Sequence, residues 1–339
     1  MDDNAIITLD HGSGGLAGQQ LLSDLLLKHL TFPQLHDLED CAVLGEYSGR
    51  IAFTTDSYVV DPLFFPGGDI GALAVHGTIN DLAMRGARPL ALSLGLIIEE
   101  GLPMSVLERV IASVAACCEE ADVAVVTGDT KVVPHGKADR LFINTSGIGL
   151  VSHRHRISGK RVLPGDAIIL SGTMADHGIT IMAAQAGIAL SGDVASDTQP
   201  LHRMVGAVLE QDAGAVHALR DPTRGGVATT LCEIAQASGI DIMIEEERLP
   251  IRPAVATACA MIGLDPLYLA NEGKCLLFCD RDGAEDILQL IRRMPEGRNA
   301  TLIGWAEEGE DGGRVTLTTR IGGSRMLEPL TGMPLPRIC

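Results

Sequence analysis

The chain has 339 residues with 44 acidic and 26 basic side chains, a formal net charge of −18. That excess of carboxylates excludes nucleic acid as a partner, because phosphate backbones are bound by clustered Lys and Arg. No apolar run approaches the roughly eighteen residues of a membrane span, and the opening MDDNAIITLDHGSGG lacks the basic and apolar regions of an export signal, so no membrane association and a cytoplasmic location are expected.

The length exceeds one compact core and predicts two domains. Gly12-Ser13-Gly14-Gly15 opens a helix-like segment over residues 16–30. Gly14 and Gly15 are able to bring backbone N–H groups close to a phosphate, although the spacing matches neither the Walker A loop nor the dinucleotide fingerprint. Strand-like runs over 51–55, 90–98, 123–127 and 141–150 alternate with helix-like runs over 71–85 and 104–121. A basic break, His153-Arg154-His155-Arg156, and a turn at Leu163-Pro164-Gly165-Asp166 separate the halves. Beyond them strands are expected near 167–171, 240–244, 275–279, 300–305 and 314–318, with helices near 179–186, 201–211 and 226–238. Strands interleaved with helices and tight turns give a mixed α/β or α+β fold. The expected domains are 1–152 and 153–324, followed by a flexible tail, 325–339, whose prolines disfavour a regular helix or a paired strand. The eight cysteines lie mostly in apolar segments and fit buried reduced thiols; Cys275 and Cys279, about 13 Å apart along a strand, are too distant to share a zinc ion.

Three aspartates close apolar runs in the first half, Asp56 in TTDS, Asp81 in IND and Asp129 in TGDTK, and Asp40 precedes a fourth. Carboxylates at strand ends and in the following turns face ligands in α/β domains, and hard oxygen donors suit Mg²⁺; any one alone is better read as a helix or turn cap, and it is the four with similar flanks that point to a metal-nucleotide. Asp221-Pro222-Thr223-Arg224-Gly225-Gly226 places an Arg and a Gly pair at a helix start, where an anion is met. Asn271-Glu272-Gly273-Lys274 puts a carboxylate in a turn before a strand, a position open to solvent or to a general base. The last residue is Cys339. Its thiol is either a disordered end or a mobile carrier, and a neighbouring terminal carboxylate makes it reactive only where positive charge is supplied.

HGSGG, TTDSYVVDPLFFPGGDIG, GTINDLA, EEGLP, TGDTKVV, LFINTSG, ADHG, DPTRGGV, NEGK and the terminal PRIC together resemble the HypE family of hydrogenase maturation proteins, of the superfamily that holds aminoimidazole ribonucleotide synthetase, selenophosphate synthetase and thiamine-monophosphate kinase. The resemblance runs end to end. It implies a two-domain PurM-like ATP-binding fold whose N-terminal halves pair into a mixed β-barrel across a homodimer. It further implies an ATP- and Mg²⁺-dependent carbamoyl dehydratase that converts a thiocarboxamide on Cys339 to a thiocyanate. The carbamoyl group comes from HypF, and cyanide is passed to iron held by a HypC–HypD complex for [NiFe] hydrogenase. By the same resemblance Cys339, Glu272 and Lys131 are catalytic, Glu272 as the base and Lys131 relaying a proton or neutralising phosphate. Asp40, Asp56, Asp81 and Asp129 serve metal and nucleotide, with Gly14, Gly15, Asn144, His177 and Arg224 as further nucleotide contacts. The departure is Ala175 where a glycine before Asp176 is the commoner residue. A selenophosphate synthetase is disfavoured because HGSGG contains no Cys, and a passive carrier because it needs no metal-nucleotide site.

Overall fold

The computed structural model describes residues 5–13, 15–36, 38, 41–190, 192–309, 312–332 and 337–339. Strand β1 (Arg50–Tyr58) is followed by a short ribbon, β2 (Phe64–Phe65) with β3 (Gly68–Asp69), and then by β4 (Ala87–Glu99), β5 (Ala124–Val133) and β6 (Leu141–Val151). β1, β6, β4 and β5 form one sheet in that order, antiparallel except for β4 with β5. A parallel pair needs a crossover, here the helix Met104–Ala121. The helix Ile70–Ala83 starts at Asp69, whose Oδ1 accepts from the Gly71 and Ala72 amides at 2.7 and 3.1 Å. Gly77 on this helix crosses β1 so closely that a Cβ would stand 2.3 Å from the Tyr58 hydroxyl. Both helices pack on one face of the sheet, over Tyr58, Leu94, Leu96 and Ile143. Among the described residues the opposite face is bare, leaving Ile51, Phe53 and Ile97 57%, 68% and 44% exposed.

The second half holds β7 (Ala167–Leu170), β8 (Val216–Arg220), β9 (Asp241–Glu245), β10 (Leu276–Cys279), β11 (Thr301–Glu307), β12 (Val315–Thr318) and β13 (Ser324–Leu327), ordered β13-β12-β9-β11-β7-β10-β8. β7 reads Ala-Ile-Ile-Leu without alternation because both its faces are covered. Ile168 and Leu170 pack in one cluster with the helix Gly226–Ser238, and Ala167 and Ile169 in another with the helices His202–Asp212 and Ala284–Arg292. Asn80 ties the halves together: its amide donates to the Gln199 and Glu272 carbonyls at 3.0 and 3.2 Å, and its oxygen accepts from the Leu201 amide at 2.8 Å.

The strand pattern of the sequence omits β8 and β13 and the helices Pro253–Ile262 and Ala284–Arg292. β13 also corrects the start of the tail. Arg325, Met326 and Leu327 pair with β12 because the chain meets no proline until Pro329. The thiols of Cys118, Cys232, Cys259, Cys275 and Cys279 are buried and free, while Cys41 is exposed. Among the described residues no helix is long and apolar enough to cross a membrane.

Candidate active site

The end of the chain is docked inward. The Val59 amide donates to a terminal carboxylate oxygen of Cys339 at 3.0 Å and the Asp61 amide to the Arg337 carbonyl at 3.2 Å, so the tail runs alongside the chain leaving β1. Arg337 returns a bond from Nε to the Val59 carbonyl at 2.8 Å and pairs with Asp139. Ile338 is 6% exposed and joins the core of the first half. His177 closes the dock with both ring nitrogens. The Ile338 carbonyl, 2.6 Å from Nε2, can only accept, so Nε2 carries the proton and Nδ1 accepts from the Ser196 hydroxyl at 2.8 Å. Burial holds the His177 pKa below its ordinary value, in keeping with this neutral tautomer. His177 is therefore a clamp on the tail with no nitrogen left for a nucleotide.

Docking brings Cys339 into the field of Glu272, Arg224 and Asp56. Burial first, then the Glu272 carboxylate, pushes the thiol up to about 12, with Arg224 opposing. Glu272 is buried, and its Oε1 has no hydrogen-bond partner among the described residues. Burial raises its pKa well above the carboxylate range, with Asp197, Asp221 and Asp56 adding to the rise and Arg224 opposing it.

The turn that carries Glu272 is fixed on every side. Asn271 accepts from the Ala175 amide at 2.7 Å and donates to the Pro222 and Leu269 carbonyls at 2.9 and 3.0 Å. A Cβ on Gly273 would fall 1.9 Å from the Asp197 carbonyl oxygen. Ala175 itself has φ 71°, which explains why glycine is the commoner residue at that position.

The aspartates do not converge as the sequence implied. Asp56 and Asp129 lie inside β1 and β5, not in turns after them. Cross-strand register runs Ser57 to Asn144 to Gly95 to Asp129, so Asp129 shares a face with Ser57, one residue out of step with Asp56. Strand side chains alternate between faces. Asp56 and Asp81 therefore sit on the helix-covered side, where the Thr54 hydroxyl donates to Asp81 at 2.8 Å, and Asp129 projects from the bare side. Lys131 follows it there and holds both Asp129 oxygens at 2.6 Å. Asn144 is also on the bare face, donating to the Ser57 hydroxyl at 2.9 Å. Within one chain Lys131 and Asp129 are thus separated by the sheet from Asp56 and Asp81. Asp40 and Gly14 lie outside the described residues. Gly15 caps the helix Leu16–Leu21, and Gly12 backs onto β5, where a Cβ would meet the Val132 amide at 2.6 Å.

Asp221, overlooked beside Arg224 in DPTRGG, lines one cavity with Asp81. Burial and then Asp81 push its carboxyl up to about 7, and Asp81 is raised by burial with Asp56 adding to it. The Thr54 hydroxyl and Arg220 offset these carboxyls only in part, and their hard oxygen donors suit a divalent cation. A compact metal-ligand group does exist elsewhere, Asp166 with His217 and Asp280, but Asp166 and His217 already satisfy one another at 2.8 Å. From Asp81 and Asp221 a cavity of about 640 Å³ runs past Arg85, Lys160 and Arg220. It adjoins, through Phe53, Arg85 and Ser158, a second of about 710 Å³ that adds Arg50, Arg156 and Arg161. Among the described residues, none of Arg50, Arg85, Arg156, Lys160 and Arg161 has a carboxylate partner, which is unusual on so acidic a chain.

Residues 38–151 match the model of the AIR synthase related protein N-terminal domain, and residues 164–316 that of its C-terminal domain. The chain is 48% identical over 336 residues to a carbamoyl dehydratase HypE of Azotobacter vinelandii, covering 99% of this chain and 98% of the relative. It superposes on a hydrogenase maturation protein HypE solved in complex with ATP with a TM-score of 0.94 at 50% identity, covering 98% of this chain and 99% of that one. A HypE–HypF complex matches with a TM-score of 0.80 at 43% identity, over 91% and 99% of the two chains.

Proposed function

The chain belongs to the HypE family of carbamoyl dehydratases of hydrogenase maturation, and from that premise we propose that its own Cys339 carries the substrate. Cys339–S–C(=O)–NH₂ reacts with ATP to give Cys339–S–C≡N, ADP and phosphate. The observation that supports this most is the docked Cys339 beside Glu272, whose buried Oε1 is without a partner.

The docked sulfur suits a capped, neutral group. A thiol pushed up to about 12 stays protonated and is a poor nucleophile, so the carbamoyl group is received with the tail elsewhere, on HypF, and the tail then returns. An amide oxygen is a poor leaving group. Transfer of the γ-phosphoryl to it makes it phosphate, and breaking the C–O bond with loss of both N–H protons leaves the nitrile. Glu272, a carboxylate strengthened as a base by burial, accepts a proton from that nitrogen, and Arg224 offsets negative charge as the phosphate departs.

The triphosphate lies along the cavity from Asp81 and Asp221 toward Arg85 and Lys160. Asp56, Asp81 and Asp221 would hold Mg²⁺, which when bound neutralises phosphate charge. Two copies pair through the bare sheet face, burying Ile51, Phe53 and Ile97 and bringing Asp129 and Lys131 of each to the other's nucleotide. Asp40, Gly14 and Gly15 keep their assignment to the nucleotide. The protein works in the cytoplasm, and the cyanide passes to iron on a HypC–HypD complex.

Intact mass spectrometry tests the reading. Incubated with HypF, carbamoyl phosphate and Mg-ATP, the protein should gain a carbamoyl group and then lose the mass of one water; Glu272→Gln should gain the group and keep that water. A carbamoyl adduct that never loses water in the unaltered protein sinks the proposal.

A further inference from the structure

One buried ion pair beside the reacting centre has no part in the chemistry above. Asp197 and Lys274 approach to 3.3 Å with side chains only 5% and 8% exposed. An ion pair this deep gives little net stability, since the loss of hydration cancels most of the attraction. Its position is informative. Asp197 Oδ1 accepts from the backbone amide of Glu272 at 3.1 Å, and the Lys274 ammonium also donates to the Gly273 carbonyl at 3.2 Å. The pair therefore grips the backbone on both sides of the Glu272 side chain. Lys274 is itself seated under Gly172, where a Cβ would stand 2.7 Å from its Cε.

We propose that Asp197, anchored by Lys274, is the positioning residue of the base: it fixes the turn that aims Glu272 at the Cys339-bound group and places a negative charge behind it. This rests on the dehydratase reading given above. The groups that face Glu272 are Asp197 itself, Asp221 and Arg224 from the loop after β8, Asp56 and Tyr58 from β1, and Cys339 from the tail. Among these charges Asp197 contributes the largest rise in the Glu272 pKa. Asp197 thereby makes the base stronger, and removing its charge makes the base weaker without removing the base.

The test is the pH dependence of single-turnover water loss from full-length protein already carbamoylated on Cys339. Asp197→Asn keeps an oxygen for the Glu272 amide and removes the charge. It should move the rising limb of the rate profile to lower pH by about one unit while leaving the KM for ATP unchanged. Asp197→Ala also removes the acceptor and should lower the plateau as well. If Asp197→Asn leaves Lys274 unpaired and fails to fold, Asp197→Asn/Lys274→Met removes both charges and should move the limb the same way by less, because loss of the lysine charge acts in the opposite sense. An unmoved midpoint in a folded Asn variant, or a raised KM for ATP in place of the shift, overturns the assignment. Unaltered protein that shows no water loss at any pH overturns the dehydratase reading itself, so the two failures are told apart.

Discussion

Ile338→Ala isolates the seat of the tail from its chemistry. Ile338 is 6% exposed in the core of the first half, beside a thiol it does not touch chemically. The substitution removes three carbons, and at about 0.8 kcal/mol each it weakens docking by about 2 kcal/mol. That corresponds to about 30-fold in the ratio of docked to released tail. The readout is alkylation of Cys339 by iodoacetamide, followed by peptide mapping, with exposed Cys41 as the internal reference. In the docked state the thiol is shielded and pushed up to about 12, so alkylation proceeds through the released fraction. Cys339 should react more slowly than Cys41 in the unaltered protein. In the variant it should react faster by up to about 30-fold, bounded by the rate of a free thiol. Equal Cys339 rates in the two proteins would refute the docking argument.

Asp221 makes a prediction about pH. Its native pKa of about 7 lies above that of the unfolded chain, so the folded state holds the extra proton and stability falls as pH rises from about 4 to 7, then levels. Asp221→Asn lacks that slope. The melting temperature of the unaltered protein minus that of the variant, both without Mg²⁺, should decline across this window, and parallel curves would discard the shifted carboxyl. Phe53→Asp puts a charge on the bare sheet face and should convert the dimer to a monomer in sedimentation velocity; a variant that still sediments as a dimer places the interface elsewhere.

The covered helices and the central strands were legible because their periodicity is local. The helices Met104–Ala121 and Gly226–Ser238 keep the limits their apolar spacing predicts. Glu272 and Cys339 were singled out in the sequence from their turn and tail settings, and the structure places them together. What failed was parity. Whether Asp129 faces the same way as Asp56 depends on register across three strand pairings, which no local pattern records. His177 drew attention for the right segment but serves the tail, a contact with a residue 161 positions away. Asp197 carries no local signal at all, since its importance lies in a backbone amide 75 residues on.

The central claim is that ATP activates the oxygen of a carbamoyl group mounted on Cys339. Carbamoyl-loaded protein carrying a heavy oxygen isotope in that group, turned over once with unlabelled Mg-ATP in unlabelled water, reports on this directly. The account predicts the label in inorganic phosphate and a Cys339 peptide bearing S–C≡N. Label released as water, or a nitrile found on any other residue, would contradict it.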